Sequence, residues 1–252
     1  MGRDYKRIGM VKSMSRAKIE IKNLYKIFGR NDVAFVSRVQ EGISKQELLD
    51  KHNHVLGLNN INLSIQEKKV QVIMGLSGSG KSTLIRHINR LIEPTSGELY
   101  VDGENVLAMS QNELREFRRK KTSMVFQKFA LLPHKTVSQN VAYGLTIQGV
   151  REDLAKKQSH TWIDRVGLTG FEERFPAQLS GGMQQRVGLA RALATDAPIL
   201  LMDEAFSALD PLIRTDMQNI LLELQEELHK TIVFITHDLD EALRIGDNIA
   251  IL

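Results

Sequence analysis

The chain has 252 residues, 42% apolar and 25% charged, an ordinary soluble composition with enough apolar surface for a sizeable core. It holds no cysteine, which excludes disulfides and cysteine-ligated zinc or iron–sulfur sites and fits a reducing compartment. The formal charge of +4 sits at one end: residues 1–18 carry six cations against one anion, so the rest is near neutral and no nucleic-acid platform is expected.

In chain order, residues 1–16 read as a solvated basic tail, with weak attraction to anionic lipid as the lesser reading. The start lacks the uninterrupted apolar stretch of a signal peptide. Apolar runs such as ILLM at 199–202 fall far short of the roughly 20 residues a spanning helix needs, so any membrane role comes through a partner. Two alternating strands follow, KIEIKNLYKIF (18–28) and INLSIQ (61–66), with a charged insert of about 30–54 between them. Ser44, with Glu47 three residues on, reads as a capping box opening a short surface helix. The insert itself is expected to be a solvated excursion rather than a binding element.

VQVIM (70–74) is a buried parallel strand stopped by Gly75, and a helix pattern begins at Lys81. Between them GLSGSGKS, Gly75 to Ser82, matches the phosphate-loop pattern G-x-x-x-x-G-K-[ST] in full and in its required strand–loop–helix context. Gly75, Gly78 and Gly80 let the loop's backbone donors wrap phosphates, with Ser77, Ser79 and the following Thr83 counted in the same cradle. Lys81 reaches the terminal phosphates as a point charge, and Ser82 offers its hydroxyl to Mg²⁺. A further strand, SMVF, runs into Gln127, whose carbonyl oxygen suits Mg²⁺. A helical subdomain is expected at about 128–185, with EDLAKKQSHTWIDRVGL its longest element.

LSGGMQQRVGLARAL, Leu179 to Leu193, is a second anion seat: Ser180, Gly181 and Gly182 precede a helix, but no lysine follows. ILLMDE (199–204) is a buried strand ending in two carboxylates, Asp203 for a metal shell and Glu204 as general base toward water. From Asp210 to Lys230, Met217, Ile220, Leu221, Leu224 and Leu228 share one helical face and read as core. TIVFIT ends at His237, where a histidine can touch a γ-phosphate and the attacking water.

These pieces, in this order, resemble an ATP-binding-cassette ATPase over roughly residues 17–252. The resemblance implies an α/β phosphate-loop nucleoside triphosphatase with an inserted helical subdomain and an antiparallel β subdomain on the N-terminal side. It implies catalytic roles for Lys81, Glu204 and His237, ATP bound with Mg²⁺, and metal contacts from Ser82, Gln127 and Asp203. It also explains the lysine-free seat. In this family two cassettes face head to tail, and Ser180, Gly181, Gly182 and Gln184 of one close over the γ-phosphate held by the other, with SALD (Ala208, Leu209 and Asp210 after Ser207) beside the junction. Phe28 occupies the position of the aromatic that stacks on adenine, with Tyr25 the lesser candidate. Met183 departs from the glutamine many members carry there.

The insert, the phosphate-loop region, MVFQKFALLPHKTV and MDEAFSALDPLIRTDMQ look closer still to ATP-binding subunits of glycine betaine/proline importers. That subfamily implies a homodimer of ATPases on the cytoplasmic face of the plasma membrane, two permease subunits and an extracytoplasmic substrate-binding protein, with no nucleic acid. Phe129 to Pro133 would line the groove for a permease coupling helix. Choline, carnitine or another compatible solute stays open as cargo. A soluble cassette ATPase acting on DNA or ribosomes is the competing class; its coiled coil does not fit the 128 residues between Gly75 and Asp203. Family members continue past the position of Leu252, and many betaine importers add a paired regulatory domain there, which leaves regulation open.

Overall fold

A computed structural model of the chain describes residues 17–252; the expected tail at 1–16 lies outside the described residues. β1 (Ala17–Phe28) pairs antiparallel with β2 (Val55–Gln66), from Ile19 opposite Ile65 to Phe28 opposite Val55. The insert between them folds into α1 (Val36–Gln40) and α2 (Lys45–His52). Ser44 Oγ accepts the Glu47 N–H at 3.0 Å, as the sequence predicts. Glu47 spends its carboxylate on Lys51, 2.7 Å away, rather than reaching back to the cap. The insert is more than a solvated excursion, because its Val39 and Leu48 are buried with Tyr25, Ile27 and Leu56 in a small core.

Next come β3 (Val70–Met74), α3 (Lys81–Ile88), β4 (Ser96–Val101) and β5 (Glu104–Asn105). α4 (Gln111–Lys120), opened by a full Ser110–Glu113 capping box, leads to β6 (Thr122–Val125). Three helices follow, α5 (Val137–Ile147), α6 (Glu152–Arg165) and α7 (Gly181–Ala194). The chain then runs through β7 (Ile199–Asp203), α8 (Pro211–Leu228), β8 (Thr231–Thr236), α9 (Leu239–Ile245) and β9 (Asn248–Ile251). The antiparallel sheet has the order β2-β1-β4-β5, and the parallel sheet β6-β7-β8-β3-β9.

One core fills the space between the sheets, with Ile19, Ile21 and Leu99 facing Ile73, Leu201 and Ile235 around Leu84, Ile85 and Ile88 of α3. The other covers the back of the parallel sheet, where Met202 and Phe234 meet Leu189 and Leu193 of α7 and Met217 and Leu221 of α8. Ile220 and Leu228 complete the apolar face predicted for α8. With both faces covered, the strands read as continuous apolar runs. Burying a side chain such as Phe234 stabilises by about 1.5–3 kcal/mol. A third core holds α5 and α6 against Val187, Ala190 and Ala194 of α7. α7 therefore belongs to both bodies, and the expected subdomain limit near 185 falls inside one unbroken helix.

The antiparallel sheet also answers for one N-terminal cation. Lys18, counted with the basic stretch, is buried in β1 and pairs with Asp102 at 2.7 Å and Glu67 at 3.3 Å. Burial works against its charge, but the hydrogen bond and attraction from Asp102, then from Glu67, prevail and raise its pKa. Asp102 is likewise opposed by burial, yet Lys18 and then Lys121 hold its pKa below the ordinary 3.8. A lowered carboxyl pKa contributes stability that is complete above the ordinary value and is lost as pH falls through the lowered one. Asp102→Asn should therefore cost about 1 kcal/mol at neutral pH and progressively less as pH falls below the ordinary carboxyl value, measured by urea unfolding across that range.

Candidate active site

Parallel pairing aligns the carboxyl ends of the central strands. Ile73 of β3 lies opposite Ile235 of β8, which lies opposite Asp203 of β7, while Val125 of β6 lies opposite Met202. Gly75, Gln127, Glu204 and His237 thus leave the sheet at one edge.

The loop from Gly75 to Ser82 is shaped by close approach. Gly80, the N-cap of α3, has φ 104°, and a Cβ on it would lie 2.4 Å from the carbonyl oxygen of Gly57. Gly78 also turns through φ 79°, and Ser77 is exposed beside it. Backbone N–H groups at the start of α3, where Ser82 and Thr83 lie, have no partner within the helix and carry the positive end of its dipole. Lys81 is 4% exposed; its ammonium donates to the carbonyls of Gly75 and Leu76, each at 2.8 Å, and lies 3.9 Å from Glu204. Ser79 Oγ is buried with no hydrogen-bond partner, an orphan hydroxyl that an anion in the loop would satisfy.

β7 supplies the carboxylates. Asp203 is buried; Ser82 Oγ donates to its Oδ1 at 2.7 Å and Arg86 donates to its Oδ2 at 2.9 Å. Glu204 has left-handed backbone, φ 46°, a strained setting for glutamate of the kind found at functional turns. Its Oε2 accepts from Gln127 Nε2 at 3.1 Å and lies 3.8 Å from Nδ1 of His237, which is 56% exposed. Gln127 also reaches Ser207 Oγ at 3.4 Å. The paired hydroxyl and carboxylate of Ser82 and Asp203 are hard oxygen donors of the kind Mg²⁺ takes. Among the described residues no group of three or more His, Asp or Glu forms a metal cage, so such an ion would rely on phosphate oxygens as well.

Phe28, 40% exposed, ends β1 beside this loop: a Cβ on Gly57 would lie 2.7 Å from its ring, and the Gly57 carbonyl packs against Gly80. Tyr25 is buried in the insert's core, which removes it as a stacking surface. Ser180 caps α7 by accepting the Met183 N–H at 3.3 Å, Gly181 is exposed, and Gly182 packs so close to Ile213 that a Cβ would lie 2.5 Å from it. Gln184 turns to the Leu179 carbonyl at 3.2 Å. None of these hydrogen bonds reaches Lys81, Asp203 or Glu204.

Ala208 is exposed, Leu209 is buried, and Asp210 caps α8 by accepting the Ile213 N–H at 3.1 Å. Arg214, which sequence reasoning missed, ties this turn to the strand end that carries His237: it donates to the Leu209 carbonyl at 3.3 Å and to Asp238 at 3.3 Å. Arg86 was also missed, though its place one helical turn after Ser82 could have shown it. Arg191 of α7 donates to the carbonyls of Phe129 and Ala130 at 3.1 and 2.7 Å, and burial lowers its pKa. At the foot of α3, burial lowers the pKa of His87, whose Nδ1 meets the Thr83 carbonyl at 2.6 Å.

The fold and this gathering of groups define a phosphate-loop nucleotide-binding α/β protein. The profile described as ABC transporter matches residues 58–207, more than half of the chain, and the chain belongs to that family. It is 55% identical over 235 residues to the glycine betaine transport ATP-binding protein OpuAA of Bacillus subtilis, covering 93% of this chain and 56% of that one. It is 54% identical over 235 residues to the glycine betaine/proline betaine transport system ATP-binding protein ProV of Escherichia coli, covering 93% and 59%. The chain thus spans little more than half the length of these relatives. A solved dimeric ATP-binding cassette, in a post-hydrolysis state bound to ADP and Pi, superposes with TM-score 0.79 at 34% identity, covering 93% of this chain and 94% of that one.

Gly80→Ala should destabilise the fold by about 1–3 kcal/mol in thermal unfolding, because the methyl meets a backbone carbonyl and φ is unsuited to alanine. An unchanged melting curve would show that the loop can relax away from Gly57.

Proposed function

We propose that the chain is the ATP-hydrolysing subunit of a membrane importer for glycine betaine, proline betaine or a related quaternary-amine solute. The observation that carries this reading is the gathering of Lys81, Ser82, Gln127, Asp203, Glu204 and His237 at one sheet edge, where Ser82 bonds to Asp203, Gln127 bonds to Glu204, and Lys81 and His237 lie within 4 Å of Glu204. The solute class comes from what the relatives are called, and no helix among the described residues is long and apolar enough to cross a membrane. The chain would sit on the cytoplasmic face against permease subunits that a substrate-binding protein feeds.

In this reading the loop N–H groups and Ser79 bind the phosphates, and Lys81 exchanges its two carbonyls for the terminal ones. Ser82, Asp203 and Gln127 would hold Mg²⁺, which supplies charge neutralisation on the phosphates. Glu204 accepts the proton of the attacking water, and His237 donates toward the γ-phosphate. Phe28 stacks on the base. Ser180, Gly181, Gly182 and Gln184 serve the triphosphate of a second copy, with Ala208, Leu209 and Asp210 at the junction. Triphosphate then favours the closed dimer and hydrolysis reopens it. Because Gln127 bonds to Glu204 while Phe129 and Ala130 are pinned to α7, a permease segment docked at Phe129–Pro133 would press on the water-activating carboxylate and the signature helix together.

Glu204→Gln should keep ATP-driven dimerisation in size-exclusion chromatography and lower turnover by about 100-fold or more; turnover within twofold removes Glu204 from the base role. Lys81→Ala should weaken ATP binding by about tenfold or more in calorimetric titration. In mixed dimers, Ser180→Arg on one subunit should disable the site whose Lys81 lies on the other. Loss confined to the subunit's own site would overturn the shared-site reading.

A further inference from the structure

The insert at 30–54 has no part in the chemistry above, yet it is bound to the strand end that presents Phe28. Asp32 accepts from Thr95 Oγ1 at 2.6 Å and lies 3.7 Å from the Lys26 ammonium, which stands 5.1 Å from the Phe28 ring centroid. Thr95 Oγ1 in turn accepts the Ile27 N–H at 2.9 Å. Thr95 bonding is the largest cause that lowers the Asp32 pKa, so this junction holds a carboxylate.

The second tie is His54, a buried histidine in no motif. Its Nε2 lies 2.7 Å from the carbonyl oxygen of Arg30, where the chain enters the insert, and its Nδ1 lies 2.6 Å from that of His52, where the chain leaves. A neutral ring donates to one of these carbonyls and a charged ring to both. One face stacks on Phe35 at 4.0 Å between centroids. The ring also fills the space beside Gly29, where a Cβ would lie 2.1 Å from His54 Cδ2. Gly29 directly follows Phe28, and His54 directly precedes Val55, the register partner of Phe28. The imidazole therefore closes the open end of the β1–β2 pair at the point where an exposed aromatic projects.

We propose that His54 is a positioning residue for nucleobase binding: by clasping both ends of the insert it fixes the strand end that aims Phe28, so that the insert is the brace of the base platform. The inference rests on the reading of Phe28 as the stacking residue. Stacking a base on an aromatic favours binding, and part of that gain is forfeited when the aromatic must be ordered on binding.

The test compares ATP with inorganic tripolyphosphate, which engages the phosphate loop but offers no base, each titrated with Mg²⁺ into the full chain by calorimetry. His54→Phe keeps a ring against Phe35 and Gly29 but removes both hydrogen-bonding nitrogens. Its ATP affinity should fall about three- to tenfold while tripolyphosphate stays within about twofold, and KM for ATP should rise with kcat unchanged. Gly29→Ala, which pushes a methyl into the same ring from the other side, should give the same selective loss. The inference is overturned if both variants keep the wild-type ratio of ATP to tripolyphosphate affinity, or if both lose the two ligands equally. Phe28→Ala separates the two readings. If it lowers the ratio and the other variants do not, His54 alone is misassigned; if it too leaves the ratio unchanged, the base platform itself lies elsewhere.

Discussion

In-register parallel pairing of β3, β8, β7 and β6 is the constraint on which the site depends. Because Ile73, Ile235 and Asp203 sit level, the four chain segments that follow emerge together, and groups as far apart in sequence as Lys81 and His237 come to share Glu204. A slip of one residue in any of these strands would exchange the side chains packed against its two covered faces and move its polar terminus out of line with the others. The register is held by burial on both faces, since Leu200 and Met202 face the helices while Leu201 faces the antiparallel sheet. Stability and the geometry of the site are thus set by the same contacts.

Beyond the sheet edge, the backbone does work that side chains cannot. Gly80 is pressed against the Gly57 carbonyl, and Gly57 lies under the Phe28 ring, so the phosphate loop and the aromatic are joined by two residues without side chains. Glu204 takes a left-handed turn that aims its carboxylate back toward Lys81, Gln127 and His237 rather than along the strand. Both features cost local conformational freedom, which the buried sheet beneath them can absorb.

α7 gives the molecule its second mechanical theme. One side of this helix is core to the parallel sheet and the other is core to α5 and α6, while its first turn carries Ser180, Gly181 and Gly182. Arg191 on the same helix holds the backbone just after Gln127, and Gln127 holds Glu204. Two hydrogen-bonded links therefore connect the helical body to the carboxylate, and Arg214 ties the turn at 207–210 to the strand end bearing His237 in a similar way.

Features with local causes were legible in the order of residues. A largely apolar run before glycines announced β3, the spacing of Met217, Leu221 and Leu224 announced the buried face of α8, and the phosphate loop showed itself in eight consecutive residues. Ser44 could be read as a cap because capping is decided within one turn, although Glu47 found Lys51 instead of closing the box. Tertiary structure alone decided what depends on long-range approach. Arg214 between two loops and His54 across the mouth of the insert carry no periodic or motif signal, since each matters only through backbone or side chains brought near by folding. Lys18 shows the same limit: a cation that in sequence only adds to the basic N-terminal stretch becomes a buried ion pair once β1 is laid beside Asp102 and Glu67. Local patterns record what a residue does to its own turn or strand, and the partner it meets across the fold is fixed only when the layers pack.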